Sequence, residues 1–155
     1  RQYGFTFTNG IQASLVEVGT HTGFVTLLKH WCVEDSGTVI NPMLVDEQLR
    51  GGVVQGIGAA LYEECLYSPE GQLLNGSMAD YLVPMSAEMP DIVCAHVETP
   101  TMQSQLGAKG VGEAGTAGAP GAVMNPINDA LAPLNARVTA MPFTPERILN
   151  ALARI

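Results

Sequence analysis

The sequence predicts an α+β fold, a mixed sheet with packed helices, and three observations carry that expectation. An N-terminal stretch is rich in Thr, Val and aromatic residues, a central segment repeats apolar residues every fourth position, and later strands and helices alternate without a regular βαβ rhythm. With 155 residues, 46% of them hydrophobic, the chain can bury one ordinary core. Residues 1–155 therefore read as a single domain or a fragment of a larger one. The N-terminus lacks Met, which suggests a chain that begins inside a longer protein.

The first elements are extended. Residues 5–8, 13–18 and 24–33 are enriched in Thr, Val and aromatics, with breaks at Asn9-Gly10 and over 20–23, so three neighbouring antiparallel strands are expected. Asn41-Pro42 then combines a capping residue with a proline tolerated at the first helical position. Leu49, Val53, Ile57 and Leu61 form one apolar face of the helix that follows, down to Glu63-Glu64. Gly51, Gly52, Gly56 and Gly58 lie in that helix, each costing roughly 0.5–1 kcal/mol relative to Ala. Close approach of another backbone, or of a bulky ligand, is the usual compensation.

Further on, residues 65–67 and 72–74 flank a hairpin-like turn at 68–71, and 92–97 reads as a short strand. Residues 99–118 read as a polar, glycine-rich loop. A helix is expected over 119–131, with Val123, Ile127 and Leu131 on one face and a kink at Pro126. Thr144-Pro145-Glu146 starts a last helix that runs to Ile155.

A formal charge of −8 with only seven Lys and Arg argues against a nucleic-acid surface. Cys32, Cys65 and Cys94 are odd in number and form no CxxC, so neither a disulfide framework nor an iron–sulfur cluster is indicated, and a reducing cytoplasm fits. They read as buried small hydrophobes. His21, His30 and His96 share no metal-ligand spacing. No stretch reaches the ~18 apolar residues of a membrane span.

The chemistry-bearing segment is Gly110-Val111-Gly112-Glu113-Ala114-Gly115. It matches the G-x-G-x-x-G fingerprint of dinucleotide binding, but that site needs a strand directly before it, and residues 102–109 make a poor one. Glu113 is a carboxylate fixed between glycines that admit close backbone approach, with Lys109 four residues earlier. In a closed, partly apolar pocket such a group serves as a general base; on an open loop it is a solvated acid.

Asn41-Pro42, the run from Glu47 and Gln48 through Gln55 to Gly58, Leu61-Tyr62-Glu63-Glu64, and Gly107 to Gly115 occur in the order and spacing of one family. The chain resembles the xanthine oxidase family of molybdenum hydroxylases, in the branch of the aerobic carbon monoxide dehydrogenase large subunits. The likeness covers nearly all of residues 4–155 and implies the C-terminal portion of a molybdenum-cofactor-binding domain.

The resemblance makes Glu113 the catalytic base, deprotonating a metal-bound water or hydroxyl that attacks an electron-poor carbon. A hydride equivalent and its electrons leave through molybdenum to iron–sulfur clusters and flavin. By the same resemblance Gln48 hydrogen-bonds the pterin, for which an amide's donor and acceptor are suited. Gln55 is either a cofactor contact or a structural polar link, and Lys109, Gly110, Val111 and Gly112 shape the approach to the metal.

The implied cofactor is molybdenum-molybdopterin, in its dinucleotide form, and no protein metal ligand is expected because the pterin supplies the sulfur ligands. Iron–sulfur clusters and FAD are expected on partner modules, and the partners are the remainder of the molybdenum subunit with iron–sulfur and flavin subunits in a hetero-oligomer. The implied substrate is a small N-heterocycle or aldehyde, with carbon monoxide a further candidate. One departure is Ser36 in Glu34-Asp35-Ser36-Gly37, where the carbon monoxide branch often has Cys. Two other readings stand beside this one: a non-catalytic assembly or scaffold fragment, and a nucleotide-dependent dehydrogenase using the Gly110 to Gly115 loop.

Overall fold

The computed structural model describes residues 6–153. In chain order the elements are β1 (Asn9–Val18), β2 (Val25–Asp35), α1 (Pro42–Leu61), β3 (Ile92–His96), α2 (Ala114–Leu131) and α3 (Pro145–Ala151), with single 3-10 turns at 86–88 and 132–134. The sheet has the order β1-β2-β3. β1 and β2 pair antiparallel, from Asn9 opposite Asp35 to Val18 opposite Val25, with a register shift between Leu15 and Val16. β3 lies parallel to β2, with Cys94 opposite Cys32. The sheet is therefore mixed, as the sequence predicts, and the helices pack on one of its faces.

Two strand expectations need correction. Thr6 to Thr8 form no strand, and Phe5 lies outside the described residues. The expected break at Asn9-Gly10 falls inside β1. Gly10 faces Glu34 across the β1–β2 pair, and a Cβ there would collide with the Glu34 carboxylate. This glycine provides clearance and does not mark a turn. At 68–71 the hairpin-like turn is present, closed by a bond from Ser68 N to Gln72 O of 2.8 Å, with Gly71 at φ +85°.

α1 begins as its sequence dictates. The Asn41 side chain accepts from Leu44 N at 3.3 Å and Pro42 takes the first position. Leu49, Val53, Ile57 and Leu61 are all buried. The last three join Val123, Ile127 and Leu131 of α2, Leu27 and Cys32 of β2, Ile92 of β3, and Phe143 and Ile148 in one core. The opposite face of the sheet leaves Ile11, Leu15, Trp31 and Val93 exposed.

Two of the four α1 glycines, Gly52 and Gly56, have a specific partner in α2, whereas Gly58 faces Glu63 and Pro84. A Cβ on Gly52 would stand 3.1 Å from Thr116 N, and one on Gly56 would stand 2.7 Å from Ala119 Cβ. On the facing helix, a Cβ on Gly115 would run into Leu49 O and Val53 N. The two backbones meet directly, and dispersion contacts along this seam offset the helix cost of the glycines. Gly51 is outside the seam, exposed, with nothing within 4 Å of where its Cβ would be.

α2 starts at Ala114, five residues before the expected Ala119, and continues through Pro120 and Pro126. Glycine and proline obscure its beginning in the sequence, yet those small residues are what the seam with α1 requires. The Thr144 hydroxyl caps α3, accepting from Arg147 N at 3.3 Å. The expected end at Ile155 lies outside the described residues. Of the cysteines, Cys32 is buried and Cys94 half-buried, but Cys65 is exposed, so the expectation of three buried thiols fails there.

Candidate functional site

Residues 99–113 are clamped to the end of β2. Lys109 N donates to Ser36 O at 2.7 Å, Thr38 N to Gly107 O at 3.1 Å, and Gly110 N to Thr6 O at 2.9 Å. The Lys109 ammonium bonds Asp35 Oδ2 at 3.1 Å, with 13% and 8% of the two side chains exposed. Asp35 Oδ1 also accepts from Gly37 N at 2.9 Å and Thr99 N at 3.0 Å. The Thr99 donor, with Gly37 and Lys109, holds the Asp35 carboxyl well below the usual carboxylate range. Lys109 thus serves as a strut whose charge is already paired within this chain.

Glu113 occupies the N-cap position of α2 and is exposed. The carbonyls on either side of it are held by two glutamines from different elements. Gln48 Nε2 of α1 donates to Gly112 O at 2.6 Å, and Gln12 Nε2 of β1 donates to Gly115 O at 2.9 Å. The Thr116 hydroxyl adds a bond to Gly52 O of α1 at 3.0 Å. The exposure of Glu113 means that this chain's own residues do not enclose it in an apolar pocket.

Gln12 belongs to a polar network under the sheet. Its Oε1 accepts from His30 Nε2 at 3.1 Å, and His30 Nδ1 accepts from the Ser14 hydroxyl at 2.8 Å. Gln12 Nε2 also approaches Glu34 Oε1 at 3.3 Å, and the Cys32 thiol donates to the same oxygen at 3.6 Å. His30 is fully buried, and desolvation lowers its pKa to about 4, so the ring is neutral. Burial, with Glu34 close by, pushes the Cys32 thiol up to about 12.

A cleft of about 480 Å³ opens beside this arrangement, with Gly10, Gln12 and Glu34 on one wall and Gly110, Gly112 and Glu113 on the other. Nothing lies within 4 Å of where a Gly112 Cβ would be. The N–H groups of Val111, Gly112 and Glu113 donate to no described group. Gln48, Lys109, Gly110, Val111, Gly112 and Glu113 therefore come together. Gln55 stands apart, exposed two turns further along α1, its side chain making no hydrogen bond to a described residue.

The helix that a dinucleotide fingerprint needs does begin within Gly110 to Gly115, at Ala114, but no strand directly precedes the motif: β3 ends at His96. No group of three or more His, Cys, Asp or Glu side chains suited to a metal ion occurs among the described residues. Gln12 was not singled out by the sequence, and Glu34 and Asp35 only as neighbours of Ser36. Gln12 carries one signal, a polar residue at an inward position of a strand, and Asp35 another, an acid two residues before a glycine at a strand end.

The chain is thus a mixed sheet backed by glycine-seamed helices, with a glycine loop and a carboxylate at a cleft. The chain belongs to the molybdopterin cofactor-binding domain family of the molybdenum hydroxylases, whose family model matches residues 1–90. It is 44% identical over 145 residues to the nicotine 6-hydroxylase large subunit of Paenarthrobacter nicotinovorans, covering 94% of this chain and 18% of that protein. It is 30% identical over 148 residues to the carbon monoxide dehydrogenase large chain of Hydrogenophaga pseudoflava, covering 96% of this chain and 18% of that one.

Among solved structures, quinoline 2-oxidoreductase from Pseudomonas putida 86 superposes with a TM-score of 0.91 at 42% identity, over 94% of this chain and 19% of the other. The chain thus spans under a fifth of the length of these relatives.

Proposed function

We propose that this chain is the C-terminal cofactor-binding portion of a molybdopterin-dependent hydroxylase, with Glu113 as the general base. The enzyme adds oxygen from water to an electron-poor carbon of a small substrate. The observation that carries the reading is the placement of Glu113. In a chain of this family, two glutamine amides hold its flanking carbonyls and set the carboxylate on the rim of a glycine-lined cleft. The substrate is an N-heterocycle or an aldehyde, with carbon monoxide a further candidate; the likeness to the nicotine 6-hydroxylase and to quinoline 2-oxidoreductase favours the N-heterocycle.

The residues present fit the cofactor. The open space at Gly112 and the three N–H groups of residues 111–113, which donate to no described residue, form a donor-rich, uncrowded edge for an oxygen-rich ligand. Gln48 has its amide nitrogen on Gly112 O, which leaves its carbonyl oxygen to accept from a pterin edge. Gly110 and Val111 continue that edge, and Lys109 holds it against β2 through Asp35. When bound, the molybdenum cofactor supplies the two-electron oxidation and the activation of the water-derived oxygen. Glu113 takes the proton released at that oxygen on its carboxylate.

In this reading the cofactor is the dinucleotide form, and electrons pass to iron–sulfur and flavin subunits of a cytoplasmic hetero-oligomer that includes the remainder of the molybdenum subunit. Gln55 contacts either cofactor or a neighbouring segment. Glu113→Gln in the assembled enzyme tests the role of the base. Loss of a positioned general base lowers turnover about 10²–10⁴-fold, with molybdenum content unchanged. Full turnover in that variant would remove Glu113 as the base and favour a non-catalytic scaffold role.

A further inference from the structure

We propose that Gln12 is a positioning residue for Glu113, its side-chain amide fixing the first turn of α2 through the Gly115 carbonyl. The inference rests on the reading of Glu113 as the base. Gly115 is two residues from Glu113, and its carbonyl receives the Gln12 amide at 2.9 Å across a sequence separation of 103 residues.

The orientation of that amide is determined by its surroundings. Nε2 faces two acceptors, Gly115 O and Glu34 Oε1, while Oε1 faces the His30 Nε2–H. His30 is in turn fixed by the Ser14 hydroxyl on Nδ1. Both Gly115 O and the Glu34 carboxylate can only accept, so reversing the amide would set acceptor against acceptor at this buried end of the side chain. The chain Ser14, His30, Gln12 thus delivers one donor, in one direction, to the turn that carries Glu113.

The other contacts on this turn leave a gap that Gln12 fills. Gln48 holds Gly112 O before Glu113, and Thr116 holds Gly52 O after it, both toward α1. Only Gln12 ties the turn to the sheet among the described hydrogen bonds of residues 112–116. Removing its donor leaves α2 seated on α1 but free to tilt at its first turn, which displaces the carboxylate without unfolding the helix. A displacement of about 1 Å at a reacting group can cost about a hundredfold in rate.

The test is Gln12→Met in the assembled enzyme, which keeps side-chain length and removes the bonds to Gly115, Glu34 and His30. Turnover per bound molybdenum is expected to fall ten- to a hundredfold with KM within twofold of the parent and molybdenum content unchanged. Hydrogen exchange of the amides of residues 116–119 is expected to rise at least tenfold. A merely structural role would instead lower molybdenum content and leave turnover per molybdenum intact.

Should Gln12→Met fail to assemble, Ser14→Ala removes only the hydroxyl that fixes His30 and is read the same way, with changes of at least threefold. Turnover per molybdenum within twofold of the parent, or unchanged exchange over 116–119, overturns the proposal. If Glu113→Gln keeps full turnover, the base reading fails by itself. The exchange measurement then still shows whether Gln12 holds the turn.

Discussion

Glu113 has no side-chain cap bond of its own, so its position comes from the carbonyls around it. The motif made Glu113 and Gln48 legible in the sequence, because their family spacing is local and ordered. Gln12 was not legible: its partner is 103 residues away, and only folding reveals which inward polar residue of β1 meets the start of α2. The same network gives a pH signature. The folded pKa of His30, about 4, lies below its ordinary value of 6.5. Stability from keeping this ring neutral is complete above about pH 6.5 and is lost as pH falls toward 4, because the unfolded chain binds the proton first. We expect a loss of up to about 3 kcal/mol across that window, seen as falling urea midpoints. In His30→Gln the fall should flatten, and an unchanged slope would refute this.

The seam between α1 and α2 is where propensity and packing disagree. Glycine weakens an isolated helix, so the start of α2 reads as loop, but tertiary contact reverses the sign at particular positions. Gly115→Ala drives a methyl into Leu49 O and Val53 N and should cost about 1–3 kcal/mol. Gly51→Ala meets nothing within 4 Å and should stabilise by about 0.5–1 kcal/mol. Paired urea titrations of the two variants check both signs; destabilisation by both would mean that the α1 glycines act through something other than the seam. The periodic faces of α1 and the Asn41 and Thr144 caps were legible because their causes are local. The parallel pairing of β3 was not, since nothing in a five-residue strand states its partner's direction.

At the scale of the molecule, the cleft is open and Glu113 exposed, while Ile11, Leu15, Trp31 and Val93 leave one sheet face bare. Under the proposed function these are surfaces that the remainder of the subunit completes. This chain purified alone should therefore carry far less than one molybdenum per chain and show no hydroxylase turnover. Near-stoichiometric metal by elemental analysis would contradict that. The seam between the helices has a further consequence. Because α1 and α2 meet through main-chain atoms and the small side chains of Thr116 and Ala119, their separation is set by van der Waals contact between small groups and not by any large side chain. Residues elsewhere around the cleft can drift during evolution, altering what the pocket admits, while the height of the carboxylate above α1 stays constant. Such a contact acts as a datum surface, the fixed reference from which a machine is re-tooled without being re-aligned.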